Sequence, residues 1–84
     1  MVEIKWEEIG GDPNDLKAYI NENAILRIER LGPLEFWWCV YYEGQDYHSY
    51  DDSGINMEDA KLKCEIKYYS LAFPLLALYL LKKS

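Results

Sequence analysis

The chain has eighty-four residues, half of them hydrophobic, and nine Lys and Arg against fifteen Asp and Glu leave a net charge of −6. That length predicts a single domain over residues 1–84, with a core near the lower practical limit for folding unaided. A negative field of this size repels nucleic-acid phosphates and anionic membranes and favours basic protein surfaces, so the expected partner is a protein and neither nucleic acid nor membrane.

Val2, Ile4 and Trp6 alternate with Glu3, Lys5 and Glu7, the period of a half-buried strand. Gly10-Gly11-Asp12-Pro13 breaks it. Two readings then compete. Asp12 as cap and Pro13 at the first helical position would start a short helix. Alternatively Leu16 to Ile20 is a strand, turned at Asn21-Glu22-Asn23 into another from Ala24 to Leu31, and the Asn-rich punctuation favours this hairpin. Gly32-Pro33 ends that strand. Leu34 to Tyr42 is the strongest strand, with Phe36, Trp38, Val40 and Tyr42 on one side and Trp37, Cys39 and Tyr41 on the other. Two apolar sides predict a central strand covered on both faces. Glu43-Gly44 turns into a shorter, more polar strand from Gln45 to Asp51, and Asp51-Asp52-Ser53-Gly54 forms a loop.

Asn56 is a good helix cap, Glu58 and Asp59 suit the first turn, and Asp59 with Lys63 has the spacing of an i,i+4 pair. The helix that follows is apolar on two sides. Met57, Ala60, Cys64, Tyr68, Leu71 and Leu75 form one stripe, assigned to the sheet because Ala60 is small where close approach is required. Leu62, Ile66, Tyr69 and Phe73 form the other, continued by Leu76 and Leu80. This second stripe is the expected homodimer interface, with the segment after Pro74 folding back over it as the alternative. Pro74 should kink or break the helix near Phe73, leaving Leu75 to Lys83 as a second short helical piece. The expected fold is therefore α+β: an antiparallel sheet of three to five strands packed against a long C-terminal helix, kinked or broken at Pro74.

No reactive constellation emerges. His48 is the single histidine, and with Asp51, Asp52 and the cysteines it falls short of the ligand count and spacing of a zinc or calcium site. Cys39 and Cys64 lie in apolar surroundings that keep a thiol protonated, and the consecutive acids of the loop read as solvated. There is no phosphate-cradling glycine loop. The expectation is a non-enzymatic protein without catalytic residues, metal or cofactor. With no Cys-x-x-Cys pair and no apolar N-terminal core for secretion, the thiols are expected reduced, in the cytoplasm. The Tyr68–Leu81 run is too short for a membrane span and holds Pro74. Trp37, Tyr41, Tyr47 and Tyr50 form an aromatic face that lacks the basic groove of a base-stacking platform, which leaves protein contact.

From Ala18 to Glu65 the order of elements resembles small meander-plus-helix domains common in phage and mobile-element genomes. The residues that carry the resemblance are Leu26-Arg27-Ile28, the Gly32 turn, Trp37-Trp38-Cys39-Val40, Gly44, and Met57-Glu58-Asp59-Ala60-Lys61 running on to Glu65. The layout is also similar to the plant ethylene-responsive-factor DNA-binding domain and to the arm-binding domain of phage integrases. Those bind DNA through Arg and Lys on an open sheet face. Here the corresponding region carries Glu29, Glu35, Glu43, Asp46 and Asp51, with Arg27 and Arg30 its only basic residues, which disfavours DNA. The resemblance and the acidity together imply a small inhibitor of a host defence or DNA-binding protein, working in the host cytoplasm if phage-encoded. Glu29, Glu35, Glu43, Asp46, Asp51 and Asp52 would stand in for phosphates. A structural or accessory subunit of a phage or mobile-element assembly is the alternative, and nucleic-acid binding a disfavoured third.

Overall fold

The computed structural model describes residues 4–51, 56–75 and 82. Five antiparallel strands follow one another in space as they do in sequence: β1 (Glu7–Ile9), β2 (Asp12–Asn21), β3 (Ala24–Gly32), β4 (Glu35–Tyr42) and β5 (Gln45–Asp51). One helix, α1 (Met57–Ala72), lies across one face, over β3 and β4. The connections are tight because the turn residues accept unusual backbone angles. Gly10 and Gly11 sit at φ 62° and 76°, and Glu43-Gly44 at φ 47° and 86°, a pair of positive values suited to a two-residue hairpin loop. The Glu43 N–H donates to the Asn23 carbonyl at 2.9 Å, continuing the β3–β4 ladder beyond the strand ends.

The hairpin reading is the one the chain adopts, and the short-helix alternative is not. Pro13 falls inside β2, where a bulge carries the pairing from Glu8↔Leu16 to Ile9↔Asp12 and the ladder to β3 has not yet begun. A residue without an N–H is harmless there. The Asp12 side chain instead accepts the Asn14 N–H at 2.8 Å. The first predicted strand is displaced. Ile4 to Trp6 has no strand pairing, β1 starts at Glu7, and Val2 and Glu3 lie outside the described residues. The cause is tertiary: the Trp6 indole N–H donates to Glu65 Oε2 at 2.8 Å, and Ile4 and Trp6 pack on the core.

Side-chain alternation sorts the sheet into two faces. Ala18, Leu26, Ile28, Phe36 and Val40 face α1, which returns Ala60, Cys64, Tyr68 and Tyr69. Ala60 and Cys64 are wholly buried, and the Cys64 thiol reaches the Cys39 carbonyl at 3.8 Å, so the helix rests directly on β4. A single helix covers only one face. Trp37, Cys39 and Tyr41, expected under a second cover, are half-buried on a face that no described element overlies.

The helix begins as expected, with Asn56 Oδ1 accepting the Asp59 N–H at 2.8 Å. It is sixteen residues long and ends before Pro74, with Phe73 as cap donating its N–H to the Tyr69 carbonyl at 2.7 Å. Helical backbone resumes at Pro74-Leu75; most of the predicted Leu75–Lys83 segment lies outside the described residues. The expected Asp59–Lys63 pair gives way to two others: Lys61 meets Glu58 at 3.2 Å, and Lys63 reaches across to Asp51 at the end of β5.

The second helix stripe divides. Tyr69 is only 9 % exposed and belongs to the core, while Leu62 at 55 % and Phe73 at 40 % remain open and Ile66 is half-buried. Tyr69 is flanked by the Tyr68 and Phe73 rings, whose centroids are 5.5 and 6.4 Å away. Trp6 is bonded to Glu65, one turn before Tyr69 on the same side of the helix. Leu76 and Leu80 lie outside the described residues.

Candidate functional site

The sheet face that no described element overlies is the most distinctive surface. Its composition follows from register. Tyr19, Ile25, Tyr41 and Asp46 form one cross-strand row; Lys17, Arg27, Cys39 and His48 the next; Asp15, Glu29, Trp37 and Tyr50 a third. Tyr19 and Tyr50 are 64 % and 52 % exposed. Between the first two rows and Trp37 lies a shallow depression of about 350 Å³, lined by Ile25, Arg27, Trp37, Cys39, Tyr41, Asp46 and His48.

Its electrostatics are organised around Arg27. Asp15 and Glu29 stand directly opposite each other on β2 and β3, an arrangement that two like charges would disfavour. The Arg27 guanidinium bridges them. Its Nε and Nη2 donate to the two Asp15 oxygens at 3.2 Å each, Glu29 lies 3.8 Å away, and the guanidinium carbon is 5.9 Å from the Trp37 ring centroid. The hydrogen bond to Asp15 is the main reason Arg27 is held above its ordinary pKa. Across the face, Tyr50 donates its hydroxyl to Glu35 at 2.8 Å. The Cys39 thiol lies 3.9 Å from Asp46 Oδ1. Burial first, and then the negative charge of Asp46, push that thiol above its ordinary value. Burial does the same more strongly to Cys64. Neither thiol is primed as a nucleophile at neutral pH, since the reactive form is the thiolate.

The structure brings together Trp37, Tyr41 and Tyr50 of the expected aromatic face, and adds Tyr19. Tyr47 is elsewhere: it pairs with Val40, packs on the core beneath the helix, and has the Lys67 ammonium 5.0 Å from its ring centroid. The separation of three between Tyr47 and Tyr50 forces them to opposite faces of one strand. Of the expected acidic surface, Glu29, Glu35 and Asp46 share the open face. Glu43 sits in the β4–β5 turn, Asp51 is on the helix side with Lys63, and Asp52 lies outside the described residues. Asp15 and Tyr19 were missed by sequence reasoning. Beginning β2 at Asp12 and counting in twos from its core residues Leu16 and Ala18 places both on the outer face.

Among the described residues no group of three or more His, Cys, Asp or Glu side chains is placed to hold a metal ion. None of the described helices is long and apolar enough to cross a membrane. The chain matches no protein-family model, no curated protein and no solved structure.

Proposed function

We propose that this chain is a non-enzymatic protein-binding module whose open sheet face engages a basic protein surface, in the manner of an inhibitor of a host defence or other DNA-binding protein. The observation that carries the reading is a sheet face, overlain by no described element, with four aromatic side chains, Tyr19, Trp37, Tyr41 and Tyr50, rimmed by Asp15, Glu29, Glu35 and Asp46. Tyr and Trp are the side chains most often found as energetic anchors of protein interfaces. The surrounding acids, within a chain of net charge −6, favour a partner that otherwise binds phosphates. The resemblance to phage-type domains points to a target in the host cytoplasm.

The test is competition. Labelled duplex DNA is bound to DNA-binding and nuclease proteins, and this protein is added while fluorescence anisotropy reports DNA release. The expected result is displacement by the wild type and weakening by roughly tenfold or more on reversing Glu29 and Glu35 to Lys together. Equal displacement by the two proteins would overturn the decoy mechanism.

A second reading, as a structural or accessory subunit that associates with its own copies, rests on Leu62 and Phe73. They stand exposed on one side of α1, with half-buried Ile66 between them. It predicts a mass of two chains by light scattering and no competition with DNA.

A further inference from the structure

We infer that the Tyr41–Asp46 end of the open-face depression is a seat for a single arginine or lysine side chain of the partner, its charge on the Asp46 carboxylate and its flat or methylene surface on the Tyr41 ring. The inference rests on the binding reading above and assigns the chemistry of its central contact.

The two ends of the depression differ in how their charges are satisfied. At one end Arg27 already has both Asp15 oxygens at 3.2 Å, Glu29 at 3.8 Å and the Trp37 ring beneath it. One cation there faces two carboxylates, so that end has little affinity for a further anion and its aromatic surface is taken. At the other end Asp46 has no cationic partner among the described residues; its contact is the Cys39 thiol at 3.9 Å, a weak donor. Tyr41 lies directly across from Asp46 in the β4–β5 register and from Ile25 in the β3–β4 register. Directly opposed residues place their Cβ atoms roughly 5 Å apart. A ring and a carboxylate so spaced are the two elements that a guanidinium uses together, stacking through its plane and hydrogen bonding through its edge. Ile25 and Cys39 supply an apolar floor for the methylene stem. At about 350 Å³ the depression is near the lower end of the range for small-ligand sites, suited to one long side chain rather than a folded segment.

The probe is N-acetyl-arginine-amide, titrated into the isotope-labelled full chain and followed by amide chemical shifts, with N-acetyl-citrulline-amide as the uncharged control of the same shape. The expected result is saturable shifts confined to Tyr41, Asp46 and their strand neighbours, with a dissociation constant on the order of millimolar, and none with citrulline. Asp46→Asn should weaken the probe roughly fivefold or more, and Tyr41→Leu roughly threefold, in variants whose circular dichroism matches the wild type. Shifts that fail to saturate, that spread over all the acids, or that persist unchanged in both variants would overturn the seat. DNA competition separates this outcome from the broader reading. Should the probe fail while reversing Glu29 and Glu35 still weakens displacement as expected, the seat is wrong and the acidic face stands. Should that reversal also leave displacement unchanged, both fall.

Discussion

Truncating Tyr69 and Leu62 separately tests how the helix is covered, because the two residues share a stripe in sequence and the fold treats them oppositely. Tyr69 is 9 % exposed, with the Tyr68 and Phe73 ring centroids 5.5 and 6.4 Å away; Leu62 is 55 % exposed. A buried aromatic side chain hides at least about 150 Å². Removing most of that at about 25 cal/mol per Å² gives about 3 kcal/mol, and lost ring contacts add about 0.5 kcal/mol or more. Tyr69→Ala should therefore cost about 3–4 kcal/mol, a large share of the roughly 4–13 kcal/mol expected for a chain of this length. The melting temperature should fall by about 12 °C or more. Leu62→Ala should change stability by less than about 0.5 kcal/mol, since an exposed site loses little burial and alanine favours helix. Urea unfolding with matched slopes, run at dilute and concentrated protein, measures both. A Tyr69→Ala cost below about 1 kcal/mol would refute the assignment of Tyr69 to the core. A Leu62→Ala cost above about 1.5 kcal/mol, with a midpoint that rises with protein concentration, would show instead that the stripe is an interface between copies.

Three further outcomes are expected. In native protein a thiol reagent should modify Cys39 slowly and Cys64 only as fast as the chain opens; rapid labelling of both would contradict the burial of Cys64. Burial raises the folded-state pKa of Cys64, Tyr68 and Tyr69, so the unfolded chain loses those protons first. Their contribution to stability is then complete below the ordinary thiol and phenol values, about 8.5 and 10, and is lost as pH rises beyond them. Urea midpoints that fall from about pH 8.5 upward, with a shallower fall in Cys64→Ala, would match this; no fall would contradict it. Arg27→Met should cost about 1 kcal/mol by leaving Asp15 and Glu29 face to face, discounted for the half-exposed setting, and added salt should recover part of the loss. A loss that salt does not change would remove the electrostatic account of that bridge.

Local chemistry made much of the architecture readable. Asn56 caps the helix and Phe73 ends it because the residue before a proline avoids helical angles. Glu43-Gly44 turns where two positive φ values are needed. Glu35 to Tyr42 announces itself by its aromatic and aliphatic content, and Gln45 to Asp51 by its place between a glycine turn and an acidic loop. The candidate site was only partly readable. Trp37, Tyr41 and Tyr50 follow from parity along β4 and across to β5, and the same parity, applied strictly, removes Tyr47. Asp15 was hidden because the expected strand began at Leu16, four residues after β2 begins; Tyr19 lay within that expected strand, but its face depends on the register with β3.

Composition alone set the sign of the charge, and residues close together in the chain set the alternation that divides each strand into two faces and the two ends of α1. Only the tertiary structure decided which apolar surfaces are covered. Trp6 reaches fifty-nine positions along the chain to Glu65, and within one helix stripe Tyr69 is buried while Leu62 stays open. Arg27 is joined to Asp15 across the sheet, while Asp46 at the other end of the depression has no cationic partner among the described residues. Covering a surface requires a second element, and which element arrives depends on register and packing between residues distant in sequence, where local propensity carries no information.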